Sequence, residues 1–337
     1  MSRSGGTARG MSEWGAGRRM LAGGLALAAL LTAGAARAGA AEVLFRIEDP
    51  RGDDNGDGTL RYPLNYYGLA PGDLDLVSLV ARRVSGGTEF KASFAANVKS
   101  PATYTIDFGG GQLDDVARYG FYGVNLDIYV DVDRAPGSGG VRTLPGRKSS
   151  IRPEFAWEKA IVLTPRPYDA KSELRRSLLR ELKRELEAKQ GPSEQKVEQI
   201  RSTLPDEMEQ RVFFPTRIRV SGRTITFFVP DEFLGGPAKA EWGYVVFTTG
   251  ADVDLRFTIL GDFSTAGPDD GLFVIPAKSG GAVDRFGGKR DDDIGLSPIV
   301  DLVVPAGTTQ DRVLSDYARD GSRLVELPGV VPAEAKK

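Results

Sequence analysis

The sequence of 337 residues contains neither cysteine nor histidine. Without a thiolate or an imidazole, the chain cannot build a Ser-His-Asp or Cys-His catalytic centre, a His/Cys zinc site or a His-ligated haem. The lack of cysteine also excludes disulfides and a lipid-anchoring cysteine after a signal peptide. Any metal that this chain binds must therefore be held by oxygen ligands.

The chain also has no excess of basic residues. It contains 44 Lys and Arg against 46 Asp and Glu, and residues 1–40 alone hold five Arg and one Glu. The remainder carries 39 basic and 45 acidic residues, a formal charge of −6. Because no basic stretch with interleaved aromatic residues is present, we expect no nucleic-acid partner.

Residues 1–40 have the features of an export signal. Arg18-Arg19 precedes an apolar run from Met20 to Ala33, and small residues follow as far as Ala38-Gly39-Ala40. The run is too short and too rich in Ala and Gly for a membrane span. We therefore expect cleavage near Ala40 and a periplasmic or extracellular protein with no stable membrane span. The arginine pair fits a twin-arginine signal as well as an ordinary Sec signal.

Short segments of alternating polarity predict an all-β fold. Thr88 to Ala95 and Phe121 to Asp133 alternate between apolar and polar residues, as half-buried strands do. Turn signals separate about ten to twelve such segments, which is typical of a sandwich. We expect residues 41–331 to form one immunoglobulin-like antiparallel β-sandwich, followed by a disordered tail at 332–337.

Residues 169–210 differ in kind from the rest. Nineteen of these 42 residues are charged, and leucines recur every fourth position at Leu174, Leu178, Leu182 and Leu186. Gly191-Pro192 ends this helical pattern, and Ser193 can cap a second helix. The segment predicts a helical hairpin inserted between strands. Two roles are open for it: a solvated decoration of a loop, or a docking arm for a partner protein.

Residues 49–63 contain four carboxylates, one amide and three glycines, a composition typical of a loop. Carboxylate and amide oxygens are the ligands that Ca²⁺ prefers, so the candidate calcium ligands are Asp53, Asp54, Asn55, Asp57 and Asp75. The first half of an EF-hand pattern fits, but Leu64 occupies the position of its bidentate Glu. The alternative is an Asp/Asn/Gly turn that satisfies its own backbone without a metal.

Two further patterns place acidic or aromatic side chains on one face of a predicted strand, where they are either buried or exposed. Asn125, Asp127, Tyr129, Asp131 and Asp133 share one face of a predicted strand, where carboxylates require solvent, a cation or a function. The predicted strand Phe155 to Leu163 places Trp157, Ile161 and Leu163 on one face, and Trp242 shares a face with Tyr244. Such aromatic residues either fill a core or offer a flat surface to a ligand.

A family resemblance rests on ten blocks that follow one another along the chain. They are Gly52-Asp53-Asp54, Gly58-Thr59, Tyr62-Pro63, Pro71 to Leu76, Asp127 to Asp131, Leu144 to Arg147, Trp157 with Ala160, Phe286-Gly287-Gly288, Pro298 to Pro305 and Gln310. In these blocks the chain resembles the glucodextranase C-terminal domain family, which also occurs at the ends of secreted pullulanases and amylopullulanases. Asp57 stands where the family usually has proline, and residues 169–210 look like an insertion.

The resemblance implies a DOMON-like sandwich that attaches enzymes to polysaccharide or cell wall. It suggests a non-catalytic module that binds an α-glucan or a cell-wall glycan, working with a separately encoded glycoside hydrolase or as a wall-associated protein. The candidate sugar-binding residues are Tyr62, Tyr66, Tyr67, Tyr122, Trp157 and Trp242 for stacking, with Asp127 and Asp131 as acceptors for sugar hydroxyls.

Two other classes of function stay open from the sequence. A glycosidase needs only a pair of carboxylates, about 5 Å apart for a retaining mechanism and about 6.5 to 9.5 Å apart for an inverting one. A structural protein would use the sandwich as a scaffold and residues 169–210 to recruit a partner. The identity of the glycan and the oligomeric state do not follow from the sequence.

Overall fold

The computed structural model describes residues 42–333 except for residue 65 and residues 104–112, 189–193, 254–271, 280–284 and 289–293. The predicted export signal, most of the predicted strands at 102–108 and 253–261, and most of the tail lie outside the described residues. No helix within the described part of the chain has the length and apolar character needed to cross a membrane.

Two five-stranded sheets form a β-sandwich. The first sheet has the order β1-β2-β3-β9-β8 and is antiparallel throughout. Its strands are β1 (Val43–Glu48), β2 (Leu76–Val84), β3 (Gly87–Phe94), β8 (Ile218–Ser221) and β9 (Thr224–Pro230). The second sheet has the order β13-β10-β4-β6-β7, and only its β6–β7 pair is parallel. Its strands are β4 (Val124–Asp131), β6 (Lys159–Leu163), β7 (Val212–Phe213), β10 (Gly243–Gly250) and β13 (Ile299–Leu302).

Shorter elements surround the two sheets. Two parallel pairs of three-residue strands join β5 (Ser149–Ile151) to β14 (Val325–Leu327) and β11 (Ala277–Ser279) to β12 (Phe286–Gly288). The described helices are α1 (Leu113–Val116), α2 (Pro167–Ala188), α3 (Glu194–Arg211), α4 (Asp231–Leu234) and α5 (Gln310–Leu314). Helices α2 and α3 are the hairpin expected at residues 169–210.

The core of the sandwich is made by the apolar side of each alternating strand. Phe90 and Phe94 of β3 are buried there, as the sequence pattern predicts, and Ile128 and Val130 of β4 face them from the second sheet. Phe90 stacks on Phe227 of β9 with ring centroids 5.6 Å apart. Burial of each large apolar side chain contributes roughly 1.5–3 kcal/mol, so the two inner faces hold the sheets together.

The second sheet is buried on its outer face as well. Every residue of β4 is buried, and Tyr129 packs outward with Phe247 of β10, their rings stacked 5.7 Å apart. Ala170 and Leu174 of α2 and Met208 of α3 cover this outer layer. The foot of the helical hairpin is therefore part of the protein's packing and more than a solvated decoration.

Trp157 belongs to this outer layer, whereas Ile161 and Leu163 face the sandwich core. The prediction that all three share one face is wrong because the chain is not one extended strand across this segment. A 3₁₀ turn at Pro153–Phe155 comes first, and β6 begins only at Lys159.

Two-sided burial encloses an ion pair between Asp127 of β4 and Arg147. Both side chains are at most 1% exposed. Arg147 donates to both carboxylate oxygens, from Nε to Oδ2 at 2.8 Å and from Nη2 to Oδ1 at 3.0 Å, and its Nη1 donates to the Pro145 carbonyl at 3.0 Å. This fork-to-carboxylate geometry is the strongest arrangement available to an arginine. Asp127 is thus locked in the interior.

We expect Arg147→Met to lower the free energy of unfolding by about 3–5 kcal/mol, because it leaves the Asp127 charge buried without a partner. The double variant Asp127→Leu/Arg147→Met should recover part of this loss. Urea unfolding measures both. Arg323→Ala, which breaks the exposed pair with Asp316, is the matched control and should cost about 1 kcal/mol or less. An equally small effect at Arg147 would contradict the assigned role of the buried pair.

Candidate functional site

The Asp-rich segment between β1 and β2 forms a loop that is pinned to β13 by Gln310. The Gln310 side chain is buried and accepts from the Leu302 backbone N–H. Its amide nitrogen donates to the carbonyls of Asp53, Gly56 and Val300 at 2.5, 3.1 and 3.2 Å. One side chain thus fixes the loop against the second sheet.

The glycines of this loop have the backbone conformation expected of them. Gly52, Gly56 and Gly58 have φ angles of +87°, +59° and +82°, which glycine adopts without strain. A Cβ atom at Gly56 would lie 3.0 Å from the Ile299 carbonyl oxygen. The loop therefore approaches β13 too closely for a side chain at that position.

Two of the five predicted calcium ligands are engaged in other ways, and a third is exposed. Asp57 Oδ1 accepts from the backbone N–H and hydroxyl of Thr59 at 2.9 and 2.6 Å. Asp54 Oδ2 accepts from the Tyr62 hydroxyl and, at 2.6 Å, from the Gly72 N–H, while Asn55 is exposed. These residues follow the alternative interpretation, in which an Asp-rich turn satisfies its own chain.

The other two predicted ligands, Asp53 and Asp75, lie among carboxylates that lack partners. Asp75 Oδ2 accepts from the Gly52 N–H at 2.6 Å, but its Oδ1 and the Oδ1 of Asp53 are buried without a hydrogen bond. Asp49, which directly follows β1, and Asp301 of β13 complete this group of four aspartates, here called the Asp cluster. Both oxygens of Asp49 and Oδ1 of Asp301 are also buried without a hydrogen bond.

The electrostatics of the Asp cluster follow from burial and like charge. Burial raises the pKa of Asp49 to about 8, and the charges of Asp53 and Asp75 add to the rise. Burial, together with Asp54 and Asp53, raises the pKa of Asp75 to about 6. The pKa of Asp301 lies well above its ordinary value for the same reasons. Asp301 was missed from the sequence, although it is the one charged residue in the apolar run from Ile299 to Val304.

A second acidic cluster lies at the end of β4. Oxygens of Asp131, Asp133 and Glu158 all lie within 4.8 Å of one another. Asp131 is buried and pairs with Arg134 at 2.9 Å, and Ser138 donates to both Asp133 and Glu158. The chain itself supplies partners for these carboxylates. Asp131 stabilises the turn after β4, and Asp127 forms the buried ion pair with Arg147. Neither is placed to accept from a sugar hydroxyl.

The candidate sugar-stacking aromatics are packed into the protein. Trp157, Trp242, Tyr66 and Tyr122 are each at most 7% exposed. The Trp157 indole donates to the Arg142 carbonyl at 3.0 Å. A ring enclosed to this degree offers no face to a pyranose, so burial favours the core interpretation for all four.

Tyr62 and Tyr67 are half-buried and contribute to the Asp-rich loop and its surroundings. The Tyr62 ring packs edge-on against Phe286 at 5.3 Å and its hydroxyl bonds Asp54. The Tyr67 carbonyl accepts from the Tyr122 hydroxyl at 2.6 Å. The Tyr67 ring packs edge-on against Tyr66 at 5.0 Å, so both rings make contacts within the protein.

One aromatic ring is clearly exposed among the described residues. Tyr168, at the start of α2, is 69% exposed. It lines a groove of about 690 Å³ at the foot of the helical hairpin, here called the insert groove. Other residues that line this groove are Lys159, Lys171, Glu209, Gln210, Phe213 and Glu232.

Tyr119 connects the insert groove to a second one. It lines a groove of about 600 Å³ beside the edge strand β8, the edge groove, together with Asn97, Arg118 and Ile218. Burial and a hydrogen bond to the Tyr168 side chain raise the pKa of Tyr119. The two tyrosines are therefore neighbours, and each lines one of the two grooves. Sequence reasoning missed both because neither lies on an alternating strand.

One comparison with known proteins identifies a family. The family model described as the C-terminal binding module, SLH-like, of glucodextranase matches residues 44–328. A comparison with curated proteins finds no relative. The match covers both sheets, the Asp-rich loop, the helical hairpin and α5. The chain therefore belongs to the family of SLH-like C-terminal binding modules of glucodextranase.

Proposed function

We propose that this chain is an exported, non-catalytic module that binds a neutral polysaccharide, an α-glucan or a cell-wall glycan, at the Tyr119–Tyr168 pair. The observation that carries the proposal is the exposed Tyr168 ring that lines the insert groove, on a chain whose family consists of binding modules. The export signal predicted at residues 1–40 supports a role outside the cytoplasm, where polysaccharide is present.

The insert groove supplies the chemistry that a sugar requires. Tyr168 offers a flat apolar ring with a polar edge, which suits the face of a pyranose. Glu209 and Gln210 at the end of α3 and Glu232 of α4 bring planar polar groups to the same groove. Carboxylates accept from hydroxyl groups, and an amide both accepts and donates. A few polar groups around an apolar surface are the usual make-up of a ligand site.

The charge of the groove favours a neutral glycan over a polyanion. Its two lysines already have partners: Lys171 Nζ lies 2.7 Å from Glu209 Oε1, and Lys159 donates to the Gln210 carbonyl at 2.7 Å. The formal charge of −6 outside residues 1–40 acts in the same direction.

We expect Tyr168→Ala and Tyr119→Ala each to weaken glycan binding about two- to tenfold, the loss of one aromatic contact. Tyr168→Phe keeps the ring and should retain most of the affinity. Affinity electrophoresis and pull-down on α-glucans, β-glucans and purified cell wall measure this. Ile294→Ala, which also removes an exposed apolar side chain, is the control. Unchanged glycan binding in both Tyr168→Ala and Tyr119→Ala would show that the proposed site is wrong.

For the buried tryptophans we expect the reverse of the tyrosine variants: a loss of stability without a loss of glycan binding. We expect Trp157→Ala and Trp242→Ala to lower the free energy of unfolding by about 3–5 kcal/mol, because each leaves a cavity in a packed layer. Where the variant remains folded, glycan affinity should stay at the parent value. A folded, stable Trp242→Ala protein that no longer binds glycan would show that Trp242 belongs to the glycan site, as the sequence resemblance implies.

The distal part of the helical hairpin should be dispensable for glycan binding. Replacing residues 179–201 by a short flexible Gly/Ser linker retains Tyr168, Leu174, Met208 and the residues of the insert groove. Pull-down on the glycan that the parent protein binds should give parent-level retention. If retention disappears while the unfolding midpoint is unchanged, the distal hairpin itself binds the glycan and the proposed site is wrong.

A further inference from the structure

The Asp cluster joins three parts of the fold. Asp49 follows β1, Asp53 and Asp75 lie on the loop and at the start of β2, and Asp301 belongs to β13 of the other sheet. Asp301 Oδ2 already crosses between the sheets, accepting from the Leu76 N–H at 2.5 Å. We propose that the Asp cluster holds a calcium ion at the junction of the two sheets and the Asp-rich loop.

The cluster has buried negative charge without matching positive charge. Five carboxylate oxygens from its four aspartates are enclosed with no hydrogen bond, and Asp49, Asp75 and Asp301 are each at least nine-tenths buried. Among the described residues, no salt bridge to any of the four is present, and Arg51, whose charge acts on Asp75, is exposed. Unpaired buried carboxylates are strongly unfavourable. A bound cation removes that cost and gives each free oxygen a partner.

The arrangement indicates where an ion binds. Asp49 and Asp301 meet at the start of β2, where the Asp49 N–H donates to the Val77 carbonyl at 3.0 Å and Asp301 Oδ2 accepts from the Leu76 N–H at 2.5 Å. Among the described residues of the cluster, no three carboxylates place oxygens within 4.8 Å of one another. The Asp49–Asp301 pair is therefore the starting point of the site. The unpartnered Oδ1 atoms of Asp53 and Asp75 are its further donors.

The chemistry of the donors selects the ion. Every donor is a carboxylate oxygen, and the whole chain has no histidine or cysteine to favour zinc or copper. Ca²⁺ accepts six to eight oxygens in irregular geometry at about 2.3–2.6 Å, whereas Mg²⁺ demands a near-ideal octahedron and retains its waters. An uneven set of aspartates from three chain segments fits Ca²⁺ better. The bound ion would fasten the Asp-rich loop to both sheets.

The test is calcium titration of residues 41–337 after treatment with chelator, followed by calorimetry and thermal unfolding. We expect one Ca²⁺ per chain and a rise in melting temperature of about 5 °C at a hundredfold excess over Kd, with a smaller response to Mg²⁺. Asp301→Asn and Asp49→Asn should each abolish the response. Asp53→Asn, at a half-buried loop position, should weaken it and serves if the first two fail to fold.

Two control variants separate this site from other acidic groups. Asp57→Asn alters the self-satisfied turn, and Glu158→Gln alters the second acidic cluster; both should respond to Ca²⁺ as the parent does. A response that persists in Asp301→Asn, or that disappears in Glu158→Gln, would place the ion elsewhere and overturn the proposal. A parent protein that takes up no Ca²⁺ would also overturn it. A loss of stability as the pH rises toward 8 would then show that protons, rather than a cation, neutralise the buried carboxylates. No glycan is present, so the outcome is independent of the proposed function.

Discussion

Burial of the second sheet on both faces is the constraint on which the rest of this structure depends. A polar group on a strand enclosed on both sides is costly unless it finds a partner. Asp127 finds Arg147, Thr248 donates to the Leu74 carbonyl at 2.8 Å, and Asp301 accepts from Leu76. The outer layer that imposes this burial is made by the helical hairpin, α5 and the short pair β5–β14. Packing over the outer face thus removes solvent from its polar groups, and Asp127 pairs with Arg147 within the protein.

The elements could be predicted from the sequence to the extent that their signals are local. Alternation in Phe90 to Phe94 identified a strand and its buried side, and fourfold leucine spacing identified α2. Features that depend on contacts distant in sequence could not be predicted. Period-two alternation in β4 predicts that Asp127 and Val130 lie on opposite faces of the strand, but it does not predict that both faces are covered. For the same reason, no strand pattern reveals whether Trp242 faces solvent or core, and Tyr168 carries no pattern at all.

The separated blocks that carried the family resemblance meet in space at two places. Asp127 and Arg147, from two blocks, form the buried ion pair. Asp53, Asp75, Asp301 and Gln310, from four others, surround the Asp-rich loop. A motif search reads each block by itself and assigns the acidic residues of the loop to one continuous metal-binding sequence. The fold instead draws its buried, unpartnered carboxylates from both sheets. For this reason the proposed calcium site contains Asp49 and Asp301 and leaves out Asn55 and Asp57.

The parallel pairing of β6 with β7 gives the helical hairpin a topological meaning. Ala160 and Ile161 pair with Val212 and Phe213, and parallel neighbours cannot be joined by a tight turn. Some crossover between them is obligatory, while its length beyond the covering foot is not constrained by the sheet. This position in the chain can therefore accept segments of very different size without a change of strand register, which makes it a natural point at which one sandwich could diversify from another.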